Sequence, residues 1–415
     1  MKNKKFIHCF SVILRAATLF SKFALVIMLA KLIPGGDVGL YGLLSAAIGY
    51  AIFIVGFEFY TYSTREMIAY PREQWGWMLK NQIVLTISVY IMFLPLLYFL
   101  YYLGILPVGT EFWFIALLIV EYVSQEINRV LITGRNYLLA SIILFLRQGI
   151  WCWVVVAIML MMPSLRNVYT VLIVWLVASG AACIIGGIYI FQFTHKYKGQ
   201  GINWQWIKKG LKLSLPMLMA ALAIRGIFTF DRFAIKDIGG LDVLGAYVFF
   251  ASMASAVQSF LDTIVISFAF PELSKLAAEK KHEEFWITFK RFLLKTFFMS
   301  IFLCICCWLS GLIVLHWLNN QIYDRSYSLF IFLIFSTLIY CLSLIPHLGL
   351  YALREDTVII KSQVVSLIVF IGAIIISIML EELYMVMVGM ILSFSVLLLW
   401  KSIMLFSKRK ILCAE

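Results

Sequence analysis

Charged residues are scarce in this chain. Only 13% of its 415 residues are Asp, Glu, Lys or Arg, while 63% are hydrophobic; soluble domains carry roughly 25% charged and about 45–50% apolar residues. The remaining polar sequence is too short to form a separate soluble domain. The composition therefore excludes a soluble globular protein and predicts an integral membrane protein.

Sequence signatures of catalysis and of metal binding are also missing. There is no hydrolase triad signature, DxD-like pair or phosphate-binding loop. The eight cysteines show neither paired CxxC spacing nor a histidine partner pattern. We interpret them as small apolar packing residues and expect no metal, no cofactor and no catalytic residue.

The first hydrophobic stretch resembles a signal peptide only in its basic start, Met-Lys-Asn-Lys-Lys. It is long, it contains Arg15 and Lys22, and it lacks an A-x-A-like cleavage site. We therefore interpret it as an uncleaved first membrane span.

Hydropathy predicts about twelve transmembrane helices, because a bilayer core requires about 20 apolar residues per helical span. The predicted spans 1 to 12 are 9–32, 40–62, 80–102, 112–133, 137–161, 169–193, 212–236, 244–269, 292–316, 327–352, 358–380 and 384–406. They divide into an N-terminal six-helix lobe at 1–193 and a C-terminal six-helix lobe at 212–406. A cytoplasmic linker at 194–211 joins the lobes, and a cytoplasmic tail follows at 407–415.

Basic residues set the orientation, because Lys and Arg in short loops stay on the cytoplasmic side. With the N-terminus inside, the outer segments hold only Lys31, Arg166, Lys236 and Arg325. Both termini are then cytoplasmic. This topology accounts for most of the net charge of +13, so nucleic-acid binding is not needed to explain it. The inner connection 271–291 is amphipathic, which suits a helix on the inner leaflet; a simple connector that carries positive-inside charge fits it equally well.

An internal repeat is visible at the entrance to two spans. The segment 34–46, Pro-Gly-Gly-Asp-Val-Gly-Leu-Tyr-Gly-Leu-Leu-Ser-Ala, resembles 239–251, Gly-Gly-Leu-Asp-Val-Leu-Gly-Ala-Tyr-Val-Phe-Phe-Ala. Six spans separate the copies, so the two halves run parallel. This predicts two pseudo-symmetric lobes related by an axis along the membrane normal, an arrangement that transporters use.

Ionisable residues within the spans indicate function, since an intramembrane charge is costly and normally faces the bundle interior or a water-filled cavity. The basic candidates are Arg15, Lys22, Arg147, Arg225 and Arg232. The acidic candidates for ion coupling are Glu58, Asp231 and Asp262. Part of the charge is open to a structural interpretation: Glu126 pairs with Arg129 at i,i+3, and Lys295 and Lys401 reach the inner interface.

The four cations of spans 1 and 7 form two similar pairs. Arg15 and Lys22 are seven residues apart, as are Arg225 and Arg232, so each pair lies on one helical face. A cavity lined by such a surplus favours an anion. Guanidinium groups bind phosphate oxygens bidentately, which favours a diphosphate or an acidic sugar over a cationic drug.

With these features the chain resembles the O-antigen and capsule repeat-unit flippases of the multidrug, oligosaccharidyl-lipid and polysaccharide (MOP) exporter superfamily. The resemblance covers the whole length. Besides the basic N-terminus, its carriers are Pro34 to Tyr41, Phe230-Asp231-Arg232-Phe233, Gly245-Ala246-Tyr247 and Phe270-Pro271-Glu272-Leu273.

The resemblance implies two six-helix lobes around a central cavity, like those of MATE transporters. It also implies transfer of undecaprenyl-diphosphate-linked oligosaccharide between the leaflets of a bacterial inner membrane. Cationic residues of spans 1 and 7 then correspond to Arg15, Lys22 and Arg225, with Asp231-Arg232 as the span 7 signature. The lipid bilayer and other polysaccharide-assembly proteins are the candidate partners. The lipid II flippases of the superfamily have two further C-terminal spans, which disfavours a peptidoglycan precursor.

Two other functions stay open at this point. A MATE-like multidrug exporter would share the fold, but it would need an acid-dominated cavity. A membrane polysaccharide polymerase or ligase would need a substantial outer loop, whereas the longest outer segments here have about ten residues.

Overall fold

The computed structural model describes residues 2–194 and 201–412, and in these ranges the regular structure is helical throughout. Every predicted span corresponds to a helix. Spans 1 to 6 are Lys2–Leu32, Gly35–Gly56, Trp75–Tyr102, Glu111–Thr133, Tyr137–Phe145 continued by Trp151–Met161, and Val168–Thr194. Spans 7 and 8 share Trp204–Leu261, which continues to Ser267–Ala278; spans 9 to 12 are His282–Leu318, Tyr327–Ala352, Asp356–Leu380 and Leu383–Leu412.

Length and hydropathy alone identify ten membrane-crossing helices among the described residues. The segment Trp204–Ala278 is one of the ten, yet its 75 residues are enough for two crossings. Gly240, with φ of 77°, interrupts it and separates span 7 from span 8. Span 4 is not among the ten, because Glu111, Glu121, Glu126 and Arg129 make it too charged.

Contacts divide the chain into two compact units. The N-terminal unit comprises Met1–Ile33 and Leu43–Leu218, and the C-terminal unit comprises Pro34–Gly42 and Met219–Glu415. Inside the first, span 6 packs on spans 4 and 5; inside the second, span 12 packs on spans 10 and 11. The same packing order in both units supports the predicted pseudo-symmetry.

Part of the predicted linker is helical. Residues 195–200 lie outside the described ranges, but Trp204 begins the long helix of span 7. Trp206 packs against Phe59 and Tyr62, with ring centroids 5.3 and 5.1 Å away. This aromatic contact fixes the start of span 7 to the N-terminal unit. The predicted tail 407–415 continues as helix to Leu412, and 413–415 lie outside the described residues.

The amphipathic segment 271–291 does not form a single surface helix, so that prediction is wrong. It contains the end of Ser267–Ala278, a turn at Glu279–Lys281 and the start of His282–Leu318. Lys280 adopts φ of 57° in this turn. The Lys281 Nζ lies 3.2 Å from a Glu279 carboxylate oxygen, which raises the pKa of Lys281. The polar residues therefore belong to two helix ends and a turn, rather than to the polar face of one helix.

The two copies of the repeat pack against each other within the C-terminal unit. A Cβ atom added at Gly39 would lie 2.2 Å from the Leu241 carbonyl oxygen, and one added at Gly245 would lie 2.1 Å from the Gly35 carbonyl oxygen. Small residues permit such close backbone contact between membrane helices. The repeated glycines thus have a packing role, which similarity of sequence alone does not reveal.

Each copy of the repeat is followed by an irregular turn, and the turn begins the same number of residues after the repeated tyrosine in both copies. Fifteen residues after Tyr41 span 2 breaks at Gly56, where Phe57 and Glu58 have φ of 52° and 51°. Fifteen residues after Tyr247 lies Asp262, the first residue of a π-helical turn that runs to Ile266. Such irregular turns in helices often mark functional sites. Two of the three acidic candidates, Glu58 and Asp262, therefore lie at or beside matching irregularities.

Candidate substrate site

A buried ion pair lies at the centre of the N-terminal unit. Arg147 is on the π-helical turn Leu146–Ile150 of span 5 and is only 6% exposed. Its Nε lies 3.7 Å from a carboxylate oxygen of Glu121. The other oxygen of that carboxylate accepts hydrogen bonds from Trp175 Nε1 at 2.8 Å and Ser179 Oγ at 2.6 Å. Buried charges are tolerated when they are paired and hydrogen-bonded, so Glu121 fixes Arg147 in place.

Lys22 lies beside this pair on span 1. Its side chain is exposed, yet it is close enough to Arg147 and Glu121 for both charges to act on it. The preceding residue, Ser21, accepts a hydrogen bond of 2.9 Å from Trp153 Nε1 of span 5, which fixes span 1 at this level. Two cations and one carboxylate leave an excess positive charge here, and Lys22 is its accessible part.

Arg15 lies two turns before Lys22 on the same helical face, about 10 Å away along the axis. Its side chain is exposed. No ion pair of Arg15 is present in the described part of the chain. The predicted pair of span 1 thus lies on one open face, but only Lys22 is beside Arg147.

Arg225 and Asp262 meet around Tyr340 in the C-terminal unit. The charges of both residues act on the Tyr340 hydroxyl, which also forms a hydrogen bond with Gln258. The Tyr340 ring lies 5.2 Å from that of Phe228 and 5.0 Å from that of Phe394, centroid to centroid. The side chains of Arg225 and Asp262 are exposed. An exposed cation, an exposed carboxylate and an aromatic cluster therefore occur together.

Asp231 and Arg232 are engaged in contacts of a different kind. Asp231, only 2% exposed, accepts hydrogen bonds from the Tyr247 hydroxyl and from the Arg232 backbone N–H at 2.6 Å. Arg232 Nη1 donates to the carbonyl oxygen of Gly42 at 2.9 Å. Its Nε is buried without a hydrogen-bond partner. Span 7 thus anchors both copies of the repeat, through Tyr247 in one and Gly42 in the other.

Glu58 belongs to a polar chain at the predicted inner end of the N-terminal unit. It is buried and hydrogen-bonds the Tyr60 hydroxyl. The Arg129 guanidinium carbon lies 3.4 Å from the centroid of the Tyr60 ring, and Arg129 forms an ion pair with Glu126. The predicted pair of Glu126 and Arg129 is thereby confirmed. Gln82 Nε2 also donates to Glu126, at 2.7 Å.

The two lysines predicted to reach the inner interface have different environments. Lys295 is exposed, as expected for a side chain that reaches the interface. Lys401, in contrast, is only 3% exposed and lies close enough to His347 for its charge to act on that ring. The prediction for Lys401 is therefore wrong, because its helical position directs the side chain into the packing of span 12 against span 10.

Comparison with known proteins decides the family. Residues 10–277 match the polysaccharide biosynthesis protein family, which is more than half of the chain. The chain belongs to this family. No curated protein sequence matches it.

Solved structures show the fold of this polysaccharide biosynthesis protein. A multidrug resistance MATE family transporter of the MOP superfamily, in an inward-facing conformation, aligns with a TM-score of 0.71 and 14% identity over 95% of this chain and 96% of that chain. A MOP superfamily transporter from Pyrococcus furiosus, described as having a binding pocket of reverse polarity that suggests a different function, aligns with a TM-score of 0.62 and 14% identity. That match covers 96% of this chain and 94% of the other. The predicted twelve-helix, two-lobe fold is confirmed, and with it the resemblance to MOP superfamily transporters at the level of the fold.

Several residues of these clusters carried no recognisable functional signal in the sequence. Trp175 and Ser179 are ordinary residues of an apolar span. Whether their side chains reach Glu121 depends on how span 6 is rotated about its axis relative to span 4. Tyr340 likewise appears only as one aromatic among many. Tyr247 did carry a signal, because the repeat pairs it with Tyr41. Glu121 lies within predicted span 4, but the sequence could not pair it with Arg147, which is in another span.

Proposed function

We propose that this membrane protein moves undecaprenyl-diphosphate-linked oligosaccharide from the cytoplasmic to the periplasmic leaflet of a bacterial inner membrane. The family is one of polysaccharide biosynthesis and the fold is that of MOP transporters. We propose that transport proceeds by alternating access, as in other transporters built from two repeats. In support, each compact unit holds an accessible cation of the predicted set, Lys22 in one and Arg225 in the other.

The observation that carries the proposal is the charge excess at Lys22. Glu121 neutralises Arg147, and Trp175 and Ser179 saturate one of its carboxylate oxygens. Lys22 forms no ion pair in the described part of the chain, so its charge is left to attract an anion. A diphosphate has the charge to match it, and Arg225 beside the Tyr340 ring supplies a guanidinium with an adjoining aromatic surface. Arg15, Arg147 and Arg232 remain proposed substrate-binding residues, each within its own unit.

Deleting the gene tests the proposal directly. We expect surface polysaccharide to be lost and its lipid-linked precursor to accumulate in the inner leaflet, with both defects corrected by the wild-type gene. The measurement is quantitative glycan staining together with precursor accessibility to an external probe. Normal surface polysaccharide in the deletion strain would refute the proposal. Drug hypersensitivity with normal polysaccharide would instead favour a multidrug exporter.

Ion coupling is the second part of the proposal, with Asp262 in the leading position. Among Glu58, Asp231 and Asp262, only Asp262 is exposed, and it shares Tyr340 with Arg225. A carboxylate that binds a cation or a proton there alters the charge next to the arginine, so ion binding and anion binding at this site become linked. Its place on a π-helical turn gives the surrounding helix a local irregularity at which shape can change.

Replacing Asp262 with Asn should abolish stimulation of transport by an imposed proton or sodium gradient and leave downhill exchange in place. The measurement is leaflet exchange of a fluorescent prenyl-diphosphate sugar in proteoliposomes, with and without the gradient. Asp237→Asn is the matched control, because Asp237 is an exposed aspartate near the outer end of span 7. If the gradient stimulates D262N as strongly as the wild type, coupling through Asp262 is excluded, and Glu58 and Asp231 remain.

A further inference from the structure

A cationic cavity lies in the N-terminal unit, on the predicted cytoplasmic side, apart from Lys22 and Arg147. Its volume is about 770 Å³. It lies between the short helix Tyr60–Ala69, the turn that follows it, and the connection between spans 4 and 5. Three arginines and three tyrosines line it, and no acidic residue does: Arg72, Arg129, Arg135, Tyr60, Tyr70 and Tyr137.

Two of the three guanidinium groups are held rigidly. Arg72 Nη2 donates to the carbonyl oxygen of Gly134 at 2.6 Å, and its guanidinium carbon lies 5.8 Å from the centre of the Trp75 ring. Arg129 lies over the Tyr60 ring and is paired with Glu126. A guanidinium that is already oriented loses less conformational entropy when a ligand binds. The cavity is therefore preorganised on two sides.

Arg135 differs from the other two arginines. It is exposed, and none of the ion pairs or hydrogen bonds of the described residues involves its side chain. Its backbone has φ of 60°, in the left-handed turn that ends span 4, where the Asn136 N–H donates to the Leu131 carbonyl oxygen at 2.9 Å. The turn itself makes no use of the arginine side chain, so the guanidinium of Arg135 is available to a ligand.

Membrane topology alone does not explain why three arginines line one cavity. Positive residues in inner loops are expected, but orientation depends on their number and not on their meeting in one cavity beside phenol rings. Arg354 illustrates the difference. It ends span 10 in the same turn, with the same φ of 60° and the equivalent hydrogen bond from the Glu355 N–H to the Leu350 carbonyl oxygen, yet it does not line this cavity.

We infer that this cavity binds the diphosphate group of the lipid-linked substrate at the cytoplasmic leaflet, before transport. The inference rests on the proposed function. Three cations against the two nearby carboxylates of Glu126 and Glu58 leave a positive excess, and guanidinium groups bind phosphate oxygens through paired N–H donors. The tyrosine rings offer flat surfaces for the first sugar. The cavity would concentrate substrate next to the N-terminal unit and fix its headgroup.

Binding to the purified full-length chain in phosphatidylcholine nanodiscs tests the inference. The probes are geranylgeranyl diphosphate, which is a lipid diphosphate, and inorganic diphosphate, which is the soluble source of the same group. We expect Arg135→Gln to weaken geranylgeranyl diphosphate binding about tenfold, as loss of one charge-assisted hydrogen bond predicts. Arg354→Gln, the control in the same type of turn, should bind like the wild type.

The other outcomes each contradict the inference. Equal weakening in R135Q and R354Q would mean a diffuse electrostatic effect. Inorganic diphosphate bound as tightly as the lipid, with the same dependence on Arg135, would make this a site for soluble phosphate compounds. Displacement of the probe by nanodiscs that contain phosphatidylglycerol would make it a general site for anionic lipids.

Export separates this inference from the proposed function. Unchanged probe binding in R135Q, combined with loss of surface polysaccharide in the deletion strain, refutes the cavity and leaves the transport proposal intact. Normal polysaccharide in the deletion strain refutes the transport proposal, and with it the assignment of this cavity to a transported lipid.

Discussion

Replacing Lys22 with Ala should reduce the export of surface polysaccharide by at least about tenfold without lowering the amount of protein in the membrane. A hydrogen bond to a charged group is worth about 1.5–3 kcal/mol, which corresponds to roughly 10-fold to 100-fold in binding. The Lys22 side chain is exposed, so truncation opens no cavity. The cost therefore falls on the substrate rather than on folding. Glycan staining of a deletion strain that carries each variant measures the effect, and immunoblotting measures the protein.

Two variants make this prediction specific to charge at one place. Lys22→Arg keeps the positive charge next to Arg147 and should retain most of the export. Lys31→Ala removes a lysine from the outer end of the same helix and should have no effect. Arg225→Ala should reproduce the defect of K22A, since Arg225 is the accessible cation of the other unit. Normal export in both K22A and R225A, at normal protein levels, would rule out the cationic site.

Arg147 differs from Lys22 because it contributes to the stability of the folded protein. Its charge is buried and balanced by Glu121, and breaking a buried ion pair from either side costs about 3–5 kcal/mol. Loss of export in an Arg147 variant would thus combine misfolding with any loss of binding. Lys22 is exposed and forms no ion pair in the described part of the chain, so a substitution there reports on the substrate rather than on a structural partner.

The number of spans and their positions followed from hydropathy, because a bilayer tolerates little polar surface on a helix. The ends did not. Span 9 is predicted to begin at residue 292, whereas its helix begins at His282, ten residues earlier. Beyond the hydrocarbon core water can solvate polar side chains, so helix ends there are set by caps and turns such as the one at Lys280. Hydropathy contains no information about those.

The partners of charged residues were harder to predict from the sequence than the spans. Sequence spacing paired Glu126 with Arg129, because i and i+3 are neighbours on any helix. It could not pair Arg147 with Glu121, and it failed for Lys401, since both outcomes depend on how two helices are rotated against each other. The five cations that look equivalent in the sequence therefore divide by environment. Arg147 is ion-paired and buried, Arg232 is bonded to the Gly42 carbonyl, and Arg15, Lys22 and Arg225 are exposed.

The repeat gave more than symmetry. Its glycines looked like markers of duplicated segments, and in the C-terminal unit they are the points at which the backbones of the two segments touch. Arg232 donates to Gly42 in one copy, and Asp231 accepts from Tyr247 in the other. The span 7 signature and the repeat therefore belong to one packed structure, which explains why the same type of sequence occurs twice.

Adding a single methyl group at this contact should have a large effect. Gly39→Ala places a carbon 2.2 Å from the Leu241 carbonyl oxygen, and Gly245→Ala places one 2.1 Å from the Gly35 carbonyl oxygen. Both obstacles are backbone atoms, so no side-chain rotation relieves the overlap and the helices must move apart. Overpacking of this kind costs about 1–3 kcal/mol and sometimes more. We expect each variant to lower the thermal unfolding midpoint of the detergent-solubilised protein by several degrees.

Gly49→Ala is the matched control on the same helix as Gly39, because an added Cβ at Gly49 meets no atom within 4 Å. Alanine is favoured over glycine inside a helix by about 0.5–1 kcal/mol, so this substitution should stabilise the protein slightly. Opposite signs for two identical substitutions in one helix would show that packing, and not helix propensity, determines the effect. A G39A protein as stable as G49A would contradict the close backbone contact.

The double variant G39A/G245A tests whether the two glycines serve one contact. Once the first methyl group has separated the two segments, the second has more room, so its added cost should be smaller than its cost in the wild type. Residues that share a contact show such non-additive free energies, whereas separate sites add. Additive losses would mean that Gly39 and Gly245 fit into two independent places. A loss of stability in the double variant that is clearly smaller than the sum of the two single losses would show that the two repeat segments share one glycine contact. Arg232 and Tyr247 form their hydrogen bonds next to this contact.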